Sequence, residues 1–302
     1  MHFQGILALL VVTIVWGTTF PAMKDLSADF SAAWIVVLRF SLASLILFPF
    51  LFRAKLRDCA IGAMLGMVLF ACYMFQVEGL ALTSANRNAF ITGLNVLVVP
   101  LLGVAMGTPP EKRIVVAIVL AIAGLFALCW DGGAWSVGDT LALGGAVCFG
   151  LYIKLMEVST RKVERLMVLT TMQIVSVAAC AALWLLLVET PGRPVDWTKM
   201  SAALSVHWPN VVYLGVVATA AIISLQTWGQ RHASANEAAV IYAFEPGCAA
   251  IAAYFWLGET MAWRGMLGAA LMIAGMIVSQ WTPKARAGER HPLGPPGGID
   301  LP

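Results

Sequence analysis

Charge is what this sequence has least of. Only 12% of its 302 residues are Asp, Glu, Lys or Arg, where a soluble domain carries about 25%. With 60% apolar residues and a mean hydropathy of +0.85, a soluble globular fold is excluded. Histidine is scarce too: the four, at 2, 207, 232 and 291, fall at loops or ends. No Ser/His pair stands at helical spacing and no paired acidic motif or metal cluster occurs, so neither an enzyme nor a metal or other cofactor is expected. The six cysteines fall at or within apolar runs without paired spacing, which excludes a disulfide framework and leaves them as small apolar residues. Dense basic runs are absent, and a net charge of +3 without one gives nucleic acid no surface to bind. No basic region precedes the first apolar run and no small-residue cleavage site follows it, so it reads as a retained helix rather than a signal peptide.

What is present is a series of long apolar runs. Ten can be marked: 5–23, 32–52, 59–80, 86–106, 114–130, 138–156, 166–188, 211–229, 237–257 and 263–281. Each approaches the ~20 residues that a spanning helix needs, and most linkers are too short for anything but antiparallel neighbours. The longest linker, 189–210, holds three prolines together with Trp197 and Trp208, and is expected to lie partly along the membrane interface. Lys and Arg divide unevenly between the two sides, with twelve in one set of alternate loops and five in the other, while Arg39 and Lys154 lie within spans. The positive-inside bias places both termini in the cytoplasm.

One polar stretch occurs twice. Gln76, Gly79 and Ser84-Ala85-Asn86 return 150 positions later as Gln226, Gly229 and Ser234-Ala235-Asn236, and Ala123-Gly124 returns as Ala274-Gly275 after 151. The chain therefore divides into a first five-helix repeat over 1–133, a second over 134–281, and a Gly-, Pro- and charge-rich tail over 282–302 that is expected to be disordered and cytoplasmic. An odd number of helices makes the second repeat enter the membrane from the opposite side. The expected fold is an all-α polytopic membrane protein: ten transmembrane helices as two inverted five-helix repeats around a central cavity.

Polar residues at bilayer depth cost several kcal/mol, about 2.5–3.5 for charged types, so each needs a partner or a wet cavity. Asn88, Thr92 and Asn95 stand at i, i+4 and i+7 on one face of the fourth helix, and Ala238, Tyr242 and Glu245 occupy that face of the ninth. Pro100 and Pro246 lie inside these two helices and are expected to free the carbonyls of Val96 and Tyr242 near the polar faces. Two readings stay open here, a ligand site or Asn95 and Glu245 satisfying each other. Gln76 and Gln226 recur at equivalent depth as cavity-lining residues, and Tyr73 shares a face with Gln76. Trp16-Gly17 in the first helix is echoed by Phe149-Gly150 in the sixth, with Tyr152 nearby: a glycine for close approach beside an aromatic wall. Gln173 is a weaker candidate. Glu78 is expected to reach the headgroup region, and Arg39 to anchor at an interface or pair with Asp25 or Asp29. The candidate substrate-binding set is Trp16, Tyr73, Gln76, Asn88, Thr92, Asn95, Tyr152, Gln226, Tyr242 and Glu245.

The order of motifs resembles that of the EamA-type drug/metabolite transporters: Trp16-Gly17-Thr18-Thr19-Phe20, Arg39-Phe40, Ser84-Ala85-Asn86, Glu245-Pro246, Leu257-Gly258-Glu259-Thr260, Gly268 and Ala274-Gly275, across residues 5–281. Within that superfamily the chain is similar overall to the YddG-type exporters of aromatic and neutral amino acids. The resemblance implies ten helices forming a basket, with the first, third, fourth, sixth, eighth and ninth lining its cavity, in the bacterial inner membrane. It implies an alternating-access transporter exporting small amphipathic metabolites, aromatic or neutral amino acids first among them, with a broad exporter of hydrophobic or cationic drugs as the alternative. The partners are then a small-molecule substrate and the lipid bilayer, with no nucleic acid, and a monomer suffices. Two departures mark this chain: Met106-Gly107-Thr108 stands where the second half has Leu257-Gly258-Glu259, and Asn95 stands opposite Glu245. No carboxylate falls between Gly5 and Met23, so proton carriage by Glu245 and facilitated diffusion both remain open.

Overall fold

The computed structural model describes residues 2–52, 54–105, 112–131, 134–191, 195–233 and 235–280, and these residues contain helices and no strand. The elements are α1 (His2–Leu26), α2 (Ala32–Leu47, prolonged by a 3-10 turn Phe48–Leu51), α3 (Leu56–Leu82), α4 (Ala85–Gly93), α5 (Asn95–Ala105), α6 (Lys112–Asp131) and α7 (Val137–Lys162). They continue with α8 (Leu166–Trp184, prolonged by a π turn Leu185–Glu189), α9 (Trp197–Val212), a π segment Tyr213–Ala221, α10 (Ile222–His232), α11 (Ala235–Tyr242), α12 (Glu245–Leu257) and α13 (Trp263–Gln280). Seven helical stretches are long and apolar enough to cross a membrane, and 263–279 is a shorter apolar helix. Large apolar side chains such as Val119, Phe126, Leu186, Leu187 and Phe255 are exposed on the outside, as a lipid-facing surface requires. The proposed tail and the loop at 106–108 lie outside the described residues.

Helix starts follow local chemistry. Ser31 accepts from the Trp34 backbone N–H to cap α2, Ser84 accepts from that of Arg87 to cap α4, and Asp196 caps α9. Ser136 and Asp139 form a reciprocal capping box at the start of α7. Asp196 is one reason the 189–210 linker departs from expectation: from Trp197 onward it is helical, continuing through the π segment into α10 as one stretch of 36 residues. Pro209 lies inside that helix, and a loop reading of the prolines alone overlooked the capping signal ahead of Trp197.

Packing is reciprocal between the two halves. α3 packs on α7 and α8, while α10 and its preceding π segment pack on α1 and α2. α1 lies along α12 as α7 lies along α5, and α2 meets α8 as α6 meets α13. The closest approaches fall on glycines that mirror one another. A Cβ at Gly5 would lie 3.2 Å from the Gly229 carbonyl oxygen, and one at Gly138 would lie 2.9 Å from that of Gly79. Likewise a Cβ at Gly124 would press on the Gly268 carbonyl oxygen at 2.6 Å, and one at Gly275 on that of Ala117 at 2.8 Å. In an apolar solvent such small-residue contacts, rather than water exclusion, hold helices together.

Candidate functional site

Two helices break near their middles, at matching places. α4 ends at Gly93 and α5 begins at Asn95; α11 ends at Tyr242 and α12 begins at Glu245. The connecting residues tighten to i→i+3 bonds, Leu94 N–H to Ile91 O and Phe244 N–H to Ile241 O. Asn95 and Glu245 are thus each the first residue of a half-helix, where backbone N–H groups have no partner in the helix and the dipole is positive. This corrects the expectation of two continuous helices disrupted at their prolines. Pro100 sits inside α5, after the break, and Pro246 falls in the first turn of α12, where a missing N–H costs no hydrogen bond.

Between the breaks lies a small cavity, with about 30 Å³ of room for water-sized groups. Nine of the ten candidate residues line it: Trp16, Tyr73, Gln76, Thr92, Asn95, Tyr152, Gln226, Tyr242 and Glu245. Trp16 and Tyr242 form one wall with ring centroids 5.6 Å apart, and Tyr73 meets Phe149 edge-on at 5.8 Å on another. Two glycines let these walls close. A Cβ on Gly17 would lie 2.5 Å from that of Cys248 in α12, and one on Gly150 would overlap Val98 in α5.

Asn88 is the exception. It is fully buried, its amide Nδ2 donates to the Gln76 carbonyl at 3.3 Å, and its Oδ1 accepts from Thr92 at 3.5 Å. Its side chain packs toward Gly79 rather than the cavity, so a position one turn before Thr92 on the same face joins α4 to α3. Thr19, Phe149 and Ile153 also line the cavity and were not in the expected set. Their spacing carried the signal: Thr19 follows Trp16 by one turn, and Phe149 and Ile153 flank Tyr152 on one side of α7.

The lining is not self-satisfied. Trp16 Nε1, Asn95 Oδ1, Gln226 Oε1 and the Tyr242 hydroxyl are buried and find no hydrogen-bond partner. Each such group costs about 1–3 kcal/mol if left so, and four of them converge on one cavity. No hydrogen bond joins Asn95 to Glu245, so the two do not satisfy each other, and among the described residues no cation faces Glu245. Behind the wall the polar groups are paired. The Tyr152 hydroxyl donates to Gln173 Oε1 at 2.9 Å and Gln173 Nε2 donates to Thr227 at 3.4 Å, which makes Gln173 a support for Tyr152.

Arg39 departs furthest from expectation. It is 1% exposed, so it does not anchor at an interface, and Asp25 and Asp29 are engaged by Asn210 and His207 instead. Its sequence position, eight residues into an apolar run, marked depth but could not reveal the aromatic rings and the hydroxyl that surround it.

Comparison with known proteins agrees with this architecture. The model of the EamA-like transporter family matches residues 3–130 and again residues 136–280. An uncharacterized transporter of Archaeoglobus fulgidus is 27% identical over 277 residues, covering 90% of this chain and 84% of that protein. A probable terminal-alkyne amino-acid exporter of Streptantibioticus cattleyicolor is 25% identical over 308 residues, covering 97% and 98%. A solved crystal structure shares the fold at a TM-score of 0.62 and 17% identity, covering 90% of this chain and 94% of its own. Matched by the family model in both halves, over nearly its whole described length, this multi-pass membrane protein belongs to the EamA-like transporter family.

Proposed function

We propose that this chain is an alternating-access carrier that exports small amphipathic metabolites, aromatic or neutral amino acids first among them, across a bacterial inner membrane. The observation that carries the reading is the cavity at the two helix breaks, whose aromatic walls suit an apolar side chain and whose four unpartnered polar atoms suit the polar end of a ligand. Ten spans as two inverted repeats are supported by counting the α4–α5 pair, α6 and α13 with the seven longer stretches. The mirrored glycine contacts and the double family match point the same way. The excess of Lys and Arg on one set of loops supports cytoplasmic termini. In such a carrier the two halves rock about a midplane site, and the half-helix starts at Asn95 and Glu245 meet the substrate there. The name of the Streptantibioticus relative favours an amino acid as cargo.

A second reading, export of hydrophobic organic cations, is favoured by one feature, the Glu245 carboxyl group lining the cavity with no cation opposite it among the described residues. Ligand-induced thermal stabilisation of the purified protein separates the two. Neutral amino acids, aromatic ones most, should raise Tm in a saturable way. Stabilisation by lipophilic cations with none by any amino acid would replace the first reading with the second.

A further inference from the structure

The site holds a buried guanidinium and a cavity-facing carboxyl group, neither in an ion pair among the described residues, and one ring lies in range of both. Arg39 Nε donates to the Thr219 hydroxyl at 2.9 Å and Nη1 to the Met23 thioether at 3.2 Å, while Nη2 has no partner. Among the described residues no carboxylate lies within ion-pair distance of it. Its guanidinium carbon sits 4.8 Å from the centroid of the Tyr73 ring and 5.3 Å from that of Phe40. Two rings, a hydroxyl and a sulfur soften a buried cation, but none of them neutralises it. Glu245 turns its carboxyl group to the cavity at the start of α12, where the helix dipole and a bound cation would both favour the carboxylate. Tyr73 lines the cavity and lies within electrostatic range of both.

A lone ionisable group at membrane depth is costly, and a direct pair would ease both of these. No ion pair joins them among the described residues, and Tyr73 is in range of each. We infer that Arg39 and Glu245 form a split ion pair completed by a zwitterion, the substrate's ammonium meeting Glu245 and its carboxylate meeting the Tyr73 hydroxyl that Arg39 backs. This rests on the amino-acid reading above and narrows it. The substrate is an α-amino acid with both charged groups free, its apolar side chain lying along the Trp16 and Phe149 walls. Arg39 does not itself line the cavity, so it is a positioning residue that acts through Tyr73. The arrangement also selects against the rival class, since a ligand bearing only an ammonium leaves the Arg39 side unanswered.

The test uses the full-length protein in nanodiscs and three probes of one shape: phenylalanine, phenylalaninamide, which lacks the carboxylate, and 3-phenylpropionate, which lacks the ammonium. Wild-type protein should bind phenylalanine about 10- to 100-fold more tightly than either, the range of one charge-assisted hydrogen bond. Arg39→Gln and Tyr73→Phe should each bring the phenylalanine-to-amide ratio to within about twofold, phenylalanine losing far more affinity than the amide, and Glu245→Gln should do the same to the ratio against 3-phenylpropionate. A merely structural Arg39 would weaken all three probes together and leave the ratios unmoved, which overturns the inference. Should Arg39→Gln fail to fold, Arg39→Lys must preserve the amide discrimination and Tyr73→Phe must still abolish it. Phenylalanine binding that is indifferent to Arg39 and Tyr73 would sink this inference alone. Tight amide binding with no phenylalanine binding would sink the amino-acid reading beneath it as well.

Discussion

The two ends of the bundle share their packing and differ in their charges. Where α3 meets α4 and α12 meets α13, a buried ion pair crosses the halves and a half-buried lysine ties α1 to α3 within the first. Arg87 pairs with Asp139 at 2.7 Å with the two side chains 7% and 0% exposed, and Lys24 donates to the carbonyls of Leu80, Ala81 and Thr83 at the end of α3. Gly258, at φ +67°, ends α12 in a left-handed turn, and the next residue, Glu259, accepts the backbone N–H groups of Ala85 and Asn86 at the start of α4. At the other end the ties are loose. Lys55 and Glu164 meet at 2.7 Å but are 61% and 67% exposed, and His2 meets Glu237 in the open. Buried pairs are expensive to break and exposed pairs contribute little, so the Arg87–Asp139 pair holds its end more firmly than these two exposed pairs hold theirs. The alternating-access carrier proposed above needs such a difference within any one state.

Asp139→Ala breaks this comparison most severely. It strips the buried Arg87 of its carboxylate and should cost about 3–5 kcal/mol, read as a large fall in Tm in detergent. Next come Gly5→Ala and Gly138→Ala, which add a methyl at mirrored contacts on opposite ends. Because packing is shared where charge is not, each should cost a similar amount, about 1–3 kcal/mol, and a large inequality would contradict the mirrored arrangement. Glu259→Ala removes a cap shared by two backbone donors and should cost about 1–2 kcal/mol, with faster hydrogen exchange confined to the start of α4. Lys55→Ala should leave Tm unchanged. The Lys55 ammonium holds the Glu164 carboxyl below the ordinary value of 4.5. That contribution is therefore present above 4.5 and lost as pH falls through the lower folded value, yet at a fully exposed site salt and water screen it. Acidification across that range should move the wild type and Lys55→Ala alike, and a clear difference would erase the contrast between the ends.

Much of this was legible in the sequence, because membrane solvation makes polarity informative. The 150-residue echo marked the two helices that prove to be broken, though not the breaks, and nine side chains chosen by helical spacing and depth share one cavity. What spacing could not give was the partner across the helix interface. Asn88 sits on the right face but meets Gln76 and Thr92 first, and Arg39 is surrounded by residues from three other elements, α1, α3 and the π segment. Arg87 was counted among loop cations, and its burial depends on Asp139, which lies 52 positions away. The breaks themselves fell at Leu94 and just before Glu245 rather than at prolines, because proline is tolerated in a first turn and local weakness on either side decides where a helix parts.

The unpartnered atoms of the cavity give the sharpest test of the whole account. Asn95→Leu, Gln226→Met and Tyr242→Phe together replace three of them with apolar groups of similar shape. Saturable counterflow of labelled phenylalanine into proteoliposomes should be lost while Tm changes little, since the one protein contact at stake, Tyr242 with Gln226, loses both partners together and leaves no group orphaned. Counterflow that persists in the triple variant, or a Tm that falls as it would for broken structural bonds, would contradict the claim that these groups are kept for the substrate.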